Sequence, residues 1–280
     1  MSLERPDKPS FCIIAPTDYM MMYTARSNTH LVLAHLVDID EKYTQFYKAM
    51  SGRGDFLIMD NGAFELGQSY HPEKLIELGT RCGASAIVLP DYPNQDPDRT
   101  VLAAIALIPE IKAAGFYTMF VPQSKIGYIE DWLQAYKWAA ENDDIDIIGM
   151  SILGMPNAMP YIPKCYARVV LTTILLDRGW FNINKYHHYL GLNSAPNLEL
   201  PSLIQMNVLD SCDSSNPVWA GINGYRYNIC QDSFLPVAKK YLREVDFSEK
   251  MSTKGCIHEA IRYNLDVTFN IFENPGQYIN

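Results

Sequence analysis

The sequence predicts an α/β protein, a (β/α)8 TIM-type barrel with a C-terminal appendage, and three observations point there. Short apolar, β-rich runs recur about eight times along the chain. Segments with helical spacing lie between them, an alternation that implies βα units on a parallel sheet. The length of 280 residues suits a closed barrel, which commonly reaches this size as one unit. Counting alone leaves an open, doubly wound sheet as the alternative.

In chain order, the expected strands are FCIIA at 11–15, LVLAHL at 31–36, then 56–60 and 85–90, YTMFV at 117–121, DIIGMS at 146–151, and finally 187–192 and 207–211. The expected helices between them include DEKYTQFYKAM, PEKLIELGTRCG, PDRTVLAAIALIPEIKAAG and KIGYIEDWLQAYKWAAE. Several of these open on Asp or Pro and two close on Gly, as helix ends prefer. Residues 1–215 form the expected barrel. Residues 216–280 form the extension, with the aromatic loop NPVWAGINGYRYN and helical segments near 233–245 and 253–264.

Composition narrows the function classes. No apolar run approaches the roughly 18–20 residues of a membrane span, and MSLERPDKPS lacks the apolar core of a secretory signal. The six cysteines, at 12, 82, 165, 212, 230 and 256, are scattered, so reduced thiols in a cytoplasmic protein are expected. A net charge of −9 disfavours indiscriminate attraction to nucleic acid. A local basic face at Lys239, Lys240, Arg243, Lys250 and Lys254 is compatible with it, as is an ordinary solvated helix surface.

Three apolar runs stop on a carboxylate: LIMD at Asp60, VLPD at Asp91 and NVLD at Asp210. Asp-Asn-Gly after the first is turn chemistry in its own right. In a barrel, however, catalytic groups sit where strands end. Asp60, Asp91, Gln123 and Asp210 are therefore expected at one mouth. Two carboxylates near one centre can divide nucleophilic and proton-transfer roles, which suits chemistry at an acetal-like carbon.

Taken in order, IMDNGAFE, VLPDYP, FVPQS, IIGMSILG and HHYLGLNSAP…NVLDSCDSS resemble the tRNA-guanine transglycosylase superfamily over roughly residues 50–225. The cysteine cluster and distant histidine that bind zinc in the tRNA enzymes are missing. Only Cys212, Cys230, Cys256 and His258 occupy that region, which is similar to the viral and bacterial 7-deazaguanine DNA transglycosylases. The resemblance implies exchange of guanine in DNA for a free 7-deazaguanine base, through a covalent ester on Asp210 with Asp60 handling the proton. It further implies that Asp91 and Gln123 read the base edge, that Phe64 stacks on the base, and that Gly149, Ser151 and Leu190 line its pocket. Arg226, Lys239, Lys240 and Arg243 are the expected DNA contacts. No metal or cofactor is expected, and an accessory protein is left open.

Alternatives stand beside this expectation. Asp213 is the other candidate nucleophile. His187 and His188 read as structural histidines, with one possible place at the pocket mouth. Trp219, Tyr225 and Tyr227 suit either base stacking or a core. The competing functions are a tRNA-specific enzyme, a hydrolytic N-glycosidase and a noncatalytic binding subunit.

Overall fold

A computed structural model describes residues 3–192, 196–229 and 244–278. Eight parallel strands form a nearly closed barrel: β1 (Ser10–Ile13), β2 (Thr29–Val32), β3 (Phe56–Met59), β4 (Ala86–Val88), β5 (Tyr117–Phe120), β6 (Ile147–Gly149), β7 (Tyr186–Tyr189) and β8 (Ser211–Ser214). The helices are α1 (Met20–Tyr23), α2 (Ala34–Ile39), α3 (Glu41–Arg53), α4 (Ala63–Leu66), α5 (Pro72–Cys82), α6 (Pro97–Ala113), α7 (Ile129–Glu141), α8 (Gly154–Ala158), α9 (Lys164–Asp177), α10 (Pro196–Gln205), α11 (Asn216–Ile222) and α12 (Gly255–Glu273). Each strand pairs with its sequence neighbour from β2 to β8, and β8 returns to pair with β1. The (β/α)8 expectation therefore holds. Among the described residues no helix is long and apolar enough to cross a membrane.

Local chemistry explains the helix boundaries. Asp40 caps α3 by accepting from the amides of Lys42 and Tyr43, and Gly54 ends it at φ 95°. Pro72 and Pro97 open α5 and α6 at the first helical position, where a missing N–H costs nothing. Alternate strands fill the barrel in layers. Phe56, Tyr117 and Tyr186, from β3, β5 and β7, meet with ring centroids 6.3 Å and 5.8 Å apart around Phe56.

The eighth strand differs from expectation. The apolar run at 207–210 precedes β8 instead of forming it. Asn207 takes φ 55°, and the Val208 amide donates to Leu203 O at 3.3 Å, completing the end of α10. The strand itself is the polar SCDS, buried throughout. Its partner β7 is YHHY, also buried throughout. The apolar pattern thus marks the loop, while the eighth strand itself carries polar residues; the seventh lies where it is expected.

The extension packs through α11 and α12. Asn264 stitches it: its amide donates to Pro217 O at 3.1 Å and Tyr225 O at 3.0 Å, and its carbonyl accepts from the Tyr227 amide at 2.8 Å. Trp219 and Tyr227 are buried there, which places them in a core. The helix expected at 233–245 lies almost wholly outside the described residues, and the one expected at 253–264 is the longer α12.

Gly221 lets these helices approach. A Cβ at that position would lie 2.7 Å from Ile261 Cα and N, backbone atoms that cannot yield without moving α12. At Gly149 the nearest obstacle is Met119 Cε at 2.6 Å, the end of a flexible side chain. Gly221→Ala should therefore cost more than Gly149→Ala, toward the upper end of the roughly 1–3 kcal/mol typical of overpacking. Urea denaturation midpoints of the two variants check the order.

Candidate active site at the barrel mouth

Three strand ends meet at an acid–amide cluster. The Asp60 amide extends the ladder beyond β3 by donating to Val32 O at 2.8 Å. The chain then turns: Gly62, at φ 80°, donates its amide to Asp60 Oδ2 at 2.9 Å, and the Ala63 amide donates to Asn61 Oδ1 at 2.8 Å. The turn chemistry of Asp-Asn-Gly is thus real, and it also aims Asn61 inward. Asn61 Nδ2 donates to Leu89 O and to Asp91 Oδ1, both at 2.8 Å. From the end of β5, Gln123 Nε2 donates to Asp91 Oδ2 at 2.5 Å. Asn61 and Gln123 are buried, while Asp60 and Asp91 keep partial access to solvent.

Burial raises the Asp91 carboxyl above the ordinary aspartate range, and the two amide donors only partly offset it. Both side chains that bond it are neutral. A desolvated carboxylate without a cationic partner is costly in a folded chain and is a common mark of a functional position.

The sign of its pH dependence follows. A carboxyl with a raised folded-state pKa favours the fold when protonated and loses that contribution as pH rises through the folded value. Asn at position 91 cannot titrate. Lowering the pH from neutral toward the aspartate range should therefore shift the stability difference between wild type and Asp91→Asn in favour of wild type. Thermal melts across that range check it, and a difference that moves the other way would contradict the assignment.

A second cluster lies on β7 and β8. His188 faces Ser211 across the ladder; its Nδ1 is 2.6 Å from Ser211 Oγ and its Nε2 is 3.1 Å from Asp213 Oδ1. The Gly191 amide donates to the same Asp213 oxygen at 2.9 Å. His188 is fully buried and Asp213 is 5% exposed. Gly149, at the end of β6, has no room for a side chain: an added Cβ would meet Met119, Val121 and Leu190. Ser151 Oγ accepts from the amides of Leu153 and Gly154, at 3.2 Å and 3.1 Å, which shapes the loop after β6.

Behind this wall stands an ion pair that sequence reasoning missed. Arg168, on α9, bonds Glu199, on α10, through Nε at 2.9 Å and Nη2 at 2.6 Å, with both side chains fully buried. The same guanidinium donates to Met150 O, Leu190 O and Gly191 O. It thus ties the ends of β6 and β7 together and fixes the amide that holds Asp213. A charged residue inside the apolar run ARVVL was the available signal.

Asp210 requires correction. It precedes β8, so it lies at the N-terminal end of the barrel, about 10 Å along the strand direction from Asp213 at ~3.3 Å per residue. Its Oδ1 accepts from Arg5 Nε at 2.8 Å and its Oδ2 from the His187 amide at 2.7 Å. The structure therefore places Asp60, Asp91, Gln123, Gly149, Ser151, Leu190 and Asp213 toward the C-terminal mouth and leaves Asp210 at the other end. His187 is structural: burial pushes its pKa down to about 3, and its Nε2 is 2.7 Å from the Tyr136 hydroxyl.

Arg226 is exposed and paired with Glu259 at 3.0 Å. Lys239, Lys240 and Arg243, and the side chain of Phe64, lie outside the described residues. His258 spends both ring nitrogens, on the Tyr23 hydroxyl and on Ser252 O. Among the described residues no group of three or more His, Cys, Asp or Glu side chains could hold a metal ion.

No family model matches the chain, and no curated protein matches it. Among solved structures, it is similar to N-acetylneuraminate lyase from Fusobacterium nucleatum, at 13% identity over 97% of this chain and 85% of that one, with a TM-score of 0.48. An HpcH/HpaI aldolase from Desulfitobacterium hafniense gives 11% identity, coverage of 74% and 86%, and a TM-score of 0.48. The L-Ala-D/L-Glu epimerase from Bacillus subtilis gives 9% identity, coverage of 74% and 53%, and a TM-score of 0.43.

These findings correct the expected kinship with tRNA-guanine transglycosylases. No family model and no curated protein sustains the motif resemblance, and none of the similar structures named above is a transglycosylase. With the kinship go the base exchange in DNA, its tRNA and hydrolytic variants, and the pentosyltransferase class. The motif match also depended on Asp210 as the nucleophile, and that residue is bonded to Arg5 at the wrong end of the barrel. At such identities the likeness to lyases and aldolases is one of fold and lends this chain no activity.

Proposed function

We propose that the barrel mouth is the active site of an enzyme performing acid–base chemistry on a small polar molecule that presents adjacent N–H donors, such as an amidine, a guanidine or an aminopyrimidine-like ring. One observation carries the reading: Asp91 is a largely desolvated carboxylate whose side-chain partners, the amides of Asn61 and Gln123, are neutral, the remaining bond coming from its own backbone amide. An incoming pair of N–H donors, above all a cationic pair, would supply the bonds and charge this group lacks.

Asp213 is the reading's general base, oriented by His188 and by the Gly191 amide. Asp60, at the end of β3, is the second proton-transfer group. Proton abstraction by one carboxylate and return by the other needs two such groups facing one ligand in a partly dry site.

The test is to locate a bound probe. Benzamidine and 2-aminopyrimidin-4-one, titrated into isotope-labelled protein, should shift the side-chain amides of Asn61 and Gln123 and the backbone amide of Gly191. Shifts confined to any other part of the barrel, or none up to millimolar probe, would sink the reading.

A further inference from the structure

A crevice of about 570 Å³ lies at the N-terminal face, where β1 and β2 begin. These two strands are the ends of the ladder order, so the barrel has a seam there. The Ser27 hydroxyl bridges it by donating to Phe11 O at 2.5 Å. The end of α12 roofs the opening with Phe269 and Phe272, whose rings lie 6.0 Å and 5.9 Å from that of Phe11.

The rim is basic in a protein of net charge −9. Lys8, Arg26 and Arg53 line it against a single carboxylate, Asp55. Asp55 is already spent: it accepts from Arg53 Nε and Nη2 and is 2.8 Å from His30 Nε2. Arg53 is committed in turn, donating also to Ala25 O and Ser27 O. Lys8 is exposed and makes no ion pair among the described residues. Arg26 lies over the Phe269 ring at 4.9 Å, and its bond to Asp266 joins side chains 38% and 65% exposed, a pairing that solvent screens and a ligand can displace.

We propose that this crevice binds a small amphipathic anion, with an aryl or short acyl body against the half-buried Phe269 and Phe272, which are backed by Phe11, and a carboxylate or phosphate held by Lys8 and Arg26. The volume falls within the usual range for small-molecule pockets, and an apolar floor with a few convergent charges is their usual lining. In (β/α)8 enzymes chemistry is confined to the other face. The crevice is therefore a binding site separate from the mouth, and it stands whether or not the chemistry proposed there is correct.

Calorimetric titration with phenyl phosphate and benzoate, beside benzyl alcohol and inorganic phosphate, tests it. At least one aryl anion should bind with a Kd of roughly 1 mM or tighter, corresponding to about −4 kcal/mol. Benzyl alcohol and inorganic phosphate, each lacking half of the recognition, should bind at least about tenfold more weakly. The double variant Lys8→Gln/Arg26→Gln changes exposed residues, so its melting temperature should stay near wild type while affinity for the aryl anion falls at least about tenfold. Absence of binding by both aryl anions, equal binding by benzyl alcohol, or unchanged affinity in the double variant would overturn the proposal.

Discussion

Arg168→Ala should lower stability by about 3–5 kcal/mol, the range for removing one partner of a buried ion pair. Glu199 would be left as a fully buried carboxylate without its cation, and three strand-end carbonyls, those of Met150, Leu190 and Gly191, would lose a donor. Arg168→Lys keeps the charge but cannot reach five acceptors with a planar fork, so it should recover only part of the loss. Replacing both partners, as Arg168→Met with Glu199→Leu, removes the stranded charge and should be less damaging than Arg168→Ala alone. Urea denaturation of the three variants gives the order. A loss below about 1 kcal/mol for Arg168→Ala would mean that water or another cation reaches Glu199.

At the other end of the barrel, Arg5→Ala should cost about 2–3 kcal/mol near neutral pH, less than for Arg168 because Arg5 is partly exposed. The Asp210 carboxyl is already raised by burial, and the His187 amide and Arg5 are what lower it. Without Arg5 its folded-state pKa rises further. The sign is then determined: Arg5 stabilises the ionised carboxylate, so its contribution is present at neutral pH and is lost as the pH falls and Asp210 protonates. The gap between wild type and variant should close on acidification. A gap that is constant, or that widens toward low pH, would show that Arg5 acts only through Ile183 O and Asn207 O.

Both effects concern charges that the sequence shows only as letters, and this marks where sequence reasoning stops. The strands β1 to β6 were legible because apolar runs bounded by turn residues coincide with them to within a few residues. For the same reason Asp60, Asp91 and Gln123 fell at strand ends, where the structure has them. The strand expected at 187–192 is β7, Tyr186–Tyr189, and only the eighth strand reversed the rule. SCDS is a buried polar strand whose Ser211 and Asp213 meet His188 of β7, so no apolar period announces it. The apolar Val208 instead closes the end of α10, and Leu209 is buried in the core. Reading them as the strand moved the eighth strand end back to Asp210, carried the candidate acid to the wrong face, and made a five-motif resemblance look complete. Asn61 was legible only as a turn residue. Its second task, bonding Asp91, depends on contact between strands that sequence spacing does not display.

In the proposed function, ligand recognition occurs at the C-terminal mouth through Asp91, and not at Asp210. Calorimetric affinity for benzamidine in wild type, Asp91→Asn and Asp210→Asn tests it most directly. Loss of a charge-assisted pair is worth about 1.5–3 kcal/mol, so Asp91→Asn should bind roughly 10- to 100-fold more weakly, while Asp210→Asn should bind as wild type does. Undiminished affinity in Asp91→Asn, with affinity lost in a folded Asp210→Asn, would contradict it.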